Sequence, residues 1–153
     1  MKYKGIFLLT IALLAGSVNA QILVPDPAVP TASSAVTLYF DASKGNMGLK
    51  DYTGDIYAHT GVITSESSSG SDWKYAPTWG DNSAKYKLTK ESDNLYALEI
   101  SPSIRSYYGV PEEETILKMA FVFRSADQSV EGKGLGNQDI FQEVYLKFHK
   151  SVQ

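Results

Sequence analysis

The chain has no cysteine. That excludes a disulfide, a thiolate metal site and a lipid anchor carried on a lipobox cysteine. No long run of like charge occurs. The longest, Glu112-Glu113-Glu114, reads as a solvated surface turn. The chain also lacks a Gly-x-Ser-x-Gly nucleophile elbow, a His-Glu-x-x-His zinc site and a phosphate-binding glycine loop. Gly132-Lys-Gly-Leu-Gly136 is glycine-rich, but no amphipathic helix follows it. Outside the first twenty residues no apolar run approaches the ~20 residues of a membrane-spanning helix.

Those first twenty residues read as an export signal. Lys2 and Lys4 supply a positive start, residues 6–15 an apolar stretch, and Val18-Asn19-Ala20 small residues before a cut at Gln21. An exported chain without disulfides is ordinary for bacteria, so a periplasmic or extracellular location is expected. Losing the two leader lysines makes the formal charge of −3 two units more negative. Such a surface repels phosphate backbones, so nucleic acid is a poor partner. What remains is the size of one domain.

Residues 21–34 carry Pro25, Pro27 and Pro30 among small residues and read as an extended linker ahead of a domain over 35–149. From there, segments of period two alternate with turn signals. Residues 35–41 set Val36, Leu38 and Phe40 against Thr37, Tyr39 and Asp41. Residues 54–63 place Ile56 and Ala58 on one face, Tyr57 and His59 on the other. A short strand is expected over 73–76, stopped by Pro77, and a hairpin from strands 84–90 and 94–100. Ser101 and Pro102 read as N-cap and first position of one helical turn over 103–108, ended by Gly109. Residues 115–124, β-branched and aromatic, read as a central strand. Residues 125–138 form a polar, glycine-rich loop, and 139–148 a last strand with Ile140, Val144, Leu146 and Phe148 inward. About seven strands with almost no helix predict an all-β, antiparallel two-sheet sandwich of immunoglobulin-like shape, a barrel being the alternative.

Both tryptophans, Trp73 and Trp79, fall in one stretch of loop formers, close after Tyr57 and His59. Flat aromatic faces presented from loops on a rigid scaffold suit the apolar C–H face of a pyranose ring. Asp72, Lys74, Asp81 and Asn82 adjoin them and could bond sugar hydroxyls. For each there is a plainer reading. The tryptophans could be core, His59 a satisfied core histidine, and the polar residues turn formers. Tyr107-Tyr108 is either a second platform or a turn covering one end of the sandwich. Arg124 reads as a strand-end charge. Lys133, Asn137, Gln138 and Asp139 lack the dense acidic spacing of a calcium loop, so no metal is expected.

Tyr57-Ala-His59-Thr-Gly, Trp73, Trp79-Gly80, Phe121-Val-Phe-Arg124 and Asp139-Ile-Phe141 together resemble a starch-binding-type β-sandwich. Such modules precede the catalytic barrel in α-amylase-family proteins of Bacteroidetes. The chain is also similar to small starch-binding modules with a Tyr-x-His strand followed by a loop tryptophan. The resemblance covers residues 35–146. It implies non-catalytic α-glucan binding, with Tyr57, His59 and Trp73 as contacts. Trp79 joins them from its loop context, and Asp72, Lys74 and Asn82 form a secondary polar set. The partners implied are an α-glucan, an α-amylase-family enzyme or outer-membrane glycan-uptake proteins. An amylase-type barrel needs about 250 residues and does not fit, so the expectation is a stand-alone binder or a truncated enzyme module. A protein-interaction or structural module is the alternative. No catalytic residue and no cofactor are expected.

Overall fold

A computed structural model describes residues 21–148; the expected export signal lies outside them. Among these residues eight strands form two antiparallel sheets. One sheet has the order β1 (Leu23–Asp26), β2 (Val36–Asp41), β5 (Leu95–Ile100), β4 (Thr89–Ser92). In the other, β6 (Ile116–Ser125) is central. β3 (Ile56–Thr64) pairs with one of its edges. The short β7 (Glu131–Gly132) and β8 (Ile140–Glu143) pair with it as well. The fold is an all-β, two-sheet sandwich.

Alternation decides what lies between the sheets. Val36, Leu38 and Phe40 face inward and pair with Ile100, Leu98 and Tyr96, all buried. From the second sheet come Ile56, Ala58 and Val62, paired with Ser125, Phe123 and Met119. The layers meet where Phe40 stacks on Phe123, with ring centroids 4.1 Å apart; Phe121 continues the stack at 5.6 Å. Thr60 is the polar member of the inward row. Its hydroxyl donates to the Ala120 carbonyl at 2.8 Å and accepts the buried Tyr108 hydroxyl at 2.6 Å, leaving neither group unpaired.

Several expectations are corrected. Residues 21–34 are part of the fold: β1 pairs with β2, and the Pro30 carbonyl accepts Tyr145 N–H. Pro25 fits because β1 is an edge strand, where a missing N–H costs little. Residues 84–86 form a 3₁₀ turn, not a strand, although Tyr86 and Leu88 still point inward between exposed Lys85 and Lys87. The helical turn (α1, Ile104–Tyr108) is capped by Ser103, whose side chain accepts Ser106 N–H, rather than by Ser101. The N–H groups of Ile104 and Arg105 are taken by the Ser34 and Ala32 carbonyls, which pins the helix start there. Gly109 ends the helix in the left-handed region, as expected. The last strand stops at Glu143: Val144 still bonds the Leu117 carbonyl near the start of β6, and Tyr145 then leaves β6 to bridge Thr31. Leu146 and Phe148, expected inward, are exposed. Tyr107 and Tyr108 are buried and cover the sandwich, so they are no second platform.

Replacing Phe123 by alanine removes the ring that joins the two sheets. We expect a loss of about 3–5 kcal/mol, read as a lower urea midpoint at unchanged slope.

Candidate functional site

The outward row of the second sheet should face water in a simple sandwich, yet it is buried. Tyr57, Gly61, Ala120, Val122 and Arg124 all lie in it and none is exposed. The cover is the excursion between β3 and β4. It returns to the edge of β3 at two places, Val62 with Lys74 and Tyr57 with Lys87. Between these anchors the chain crosses the sheet as a strap carrying Trp79, Gly80, Asp81 and Asn82 toward the turn after β6. Gly61 is what lets the strap lie close: a Cβ there would stand 2.9 Å from the Lys74 carbonyl oxygen.

His59 is held between the tryptophans. Trp73 stacks on it at 5.7 Å and 24°, and Trp79 meets it edge-on at 4.9 Å and 68°. Trp79 remains 41% exposed, while Trp73 and His59 are half-buried. Burial lowers the His59 pKa, the charge of Arg124 lowers it further, and Asp139 opposes both. Of the four expected contacts, three are thus brought together. Tyr57 is on the same face but only 9% exposed, with the Arg124 guanidinium over its ring at 5.6 Å. It is a support, not a ledge.

Arg124 was expected to be a strand-end charge. It is 1% exposed and organises the site. The guanidinium donates to Asn82 Oδ1 at 2.8 Å, to the Asp81 carbonyl at 2.7 Å and to the Ser125 carbonyl at 3.1 Å. It lies between Tyr57 and Trp79, 5.7 Å from the latter ring. Among the described residues no carboxylate forms a salt bridge with it. Carbonyl dipoles and two π faces carry the charge instead. Desolvation lowers its pKa, and the charges of Asp81 and Tyr57 oppose that shift.

The other end of the strap is fastened by an acid. Glu114, expected to be solvated, is buried and accepts the hydroxyls of Thr64 and Tyr75, which hold its carboxyl below the usual range. Tyr75 has a positive φ of 56°, so the expected strand over 73–76 shrinks to one bridge. The secondary polar set is already engaged with protein groups. Asp72 bonds Ser68 and pairs with Lys74 at 3.1 Å, and the Asn82 amide bridges Arg124 and the Ala126 carbonyl. Sequence reasoning missed Arg124 and Glu114. The available signal for the first was one charge closing the most apolar segment.

The chain belongs to the family described as domain of unknown function DUF8578, whose model matches residues 24–131. That span starts inside β1, which agrees with its place in the fold, and it contains the whole strap. No curated protein matches the chain.

Two outcomes follow. Replacing Arg124 by methionine keeps bulk but frees the Asp81 and Asn82 acceptors; a loss of roughly 1.5–3 kcal/mol is expected, with faster proteolysis at Lys85 or Lys87. His59 binds a proton less readily in the fold than in the unfolded chain, whose value is 6.5. Stability is therefore full above that pH and falls as the pH drops below it. Melting curves should show this acid loss in the wild type and a smaller one in His59→Asn.

Proposed function

We propose that this domain binds carbohydrate without catalysis, an α-glucan chain lying against the tryptophan strap. One observation carries the reading: Trp73 and Trp79 converge on His59 over a rigid sheet, with Trp79 presenting a large part of its ring to solvent. A loop-borne indole on a fixed base is pre-organised for a pyranose face, which reduces the ordering cost of binding. The starch-binding-type resemblance supports the glucan, through Tyr57, His59 and Trp73. Tyr57 then acts by positioning Arg124 under Trp79 rather than by touching sugar. Export to the periplasm or beyond fits this role, with an α-amylase-family enzyme or an outer-membrane uptake system as the functional neighbour.

A second reading, a protein-interaction module, draws on a different observation. Phe141, Tyr145, Leu146 and Phe148 are exposed together at and after β8.

Tryptophan fluorescence titrated with maltoheptaose, with cellohexaose as control, separates the two. A saturable change with maltoheptaose alone is expected. Trp79→Ala should weaken it by about 5- to 150-fold, the equivalent of the ~1–3 kcal/mol of a stacked ring. No response to either sugar would sink the carbohydrate reading and leave the interaction module.

A further inference from the structure

Among the described residues, two buried side-chain polar atoms have no protein partner: His59 Nδ1 and Arg124 Nε. Both belong to the same site. Tyr57 stands opposite Arg124 in the β3–β6 ladder and His59 opposite Val122, so His59 and Arg124 are diagonal neighbours on the outer face. Both lie against Trp79, the imidazole at 4.9 Å and the guanidinium carbon at 5.7 Å from its ring. Buried polar atoms are nearly always hydrogen-bonded, so an orphaned pair in one place asks for a shared partner.

The pair is chemically lopsided. Arg124 Nε always carries hydrogen and only donates. His59 Nδ1, in a neutral imidazole with its hydrogen on Nε2, only accepts. One hydroxyl satisfies both, since it donates to Nδ1 and accepts from Nε–H. A carboxylate has no hydrogen to give and would oppose its lone pairs to Nδ1.

We infer that His59 Nδ1 and Arg124 Nε form a subsite for a single sugar hydroxyl beside the Trp79 ring, and that this subsite selects neutral glycans over uronic acids. It rests on the carbohydrate reading above and adds the class of sugar. The neutrality of His59 is set by its surroundings. Arg124 of β6 and burial disfavour its charge, and Asp139, just ahead of β8, favours it. On the strap, the Asp81 carboxylate is taken up by the Ser83 N–H and hydroxyl, and Asp72 is paired with Lys74. When acid protonates His59, the acceptor becomes a second donor. The hydroxyl, with two lone pairs, accepts from both and keeps its place, whereas a carboxylate exchanges a repulsion for a bond.

The test is calorimetric titration of the mature chain at about pH 8 and pH 5 with two ligands of equal length, maltohexaose and an α-1,4-linked glucuronate hexamer. The glucuronate should bind about tenfold tighter at the lower pH than at the higher, the worth of one hydrogen bond to a charged group. The neutral oligomer, whose hydroxyl is bonded in both states of His59, should change little and should be the tighter ligand at the higher pH. His59→Asn, whose amide does not titrate, should bind the glucuronate equally at both. Glucuronate binding that ignores pH in the wild type, or a pH dependence kept in His59→Asn, would mean that solvent alone bridges the pair. Either overturns the subsite and leaves the carbohydrate reading standing. Failure of both oligomers at both pH values would remove that reading itself.

Discussion

β6 is hydrogen-bonded along both edges and buried on both faces. A two-layer sandwich supplies cover for only one face of a sheet, so this strand obliges the chain to build a third layer. The strap is that layer. Its crossing explains why Gly61 and Ala120 are small where it lies close, why Val122 is apolar on an outward row, and why an arginine can stand there at all. The aromatic cluster therefore follows from covering the sheet. Trp73 and Trp79 both pack over the face and remain partly open to solvent.

The strap is fastened by opposite charges at its two ends, each buried and each satisfied mostly by neutral groups. Glu114 holds Tyr75 and Thr64; Arg124 holds the Asp81 carbonyl and Asn82. Neither charge relies on a salt bridge within the strap. A buried ion held by oriented dipoles fixes geometry more than it adds stability, because desolvation offsets much of the attraction. Here that geometry sets the position of the indoles over His59.

Much of this arrangement is legible in the residues. β2, β3, β5 and β6 announce themselves by alternation, because each has one face committed to the core. β1 hides behind its prolines, which look like linker until the edge position that tolerates them is known. β8 is read too long because the residues after Glu143 keep an apolar rhythm although they leave β6, whose first residue is Ile116, for a single bridge to Thr31. The site shows the same division. The tryptophans are found because aromatics among loop formers stand out. Arg124 and Glu114 are missed because a charge reads as solvated unless its cross-strand and cross-loop neighbours are in view, and those are Tyr57, Asn82, Thr64 and Tyr75, all far away in sequence.

The two bridges on β3 bound the strap, and the Ser-rich arm over residues 65–71 lies outside them. That arm reaches the first anchor without contributing to the layer over the sheet. Doubling the length of a surface loop costs only about 0.6 kcal/mol of closure entropy. Insertions there would leave the sandwich intact while changing how much wall stands beside Trp73. The fold thus separates the part of the chain that must stay fixed from a part free to drift in length, and related chains have room to vary the width of the site without risking the domain that carries it.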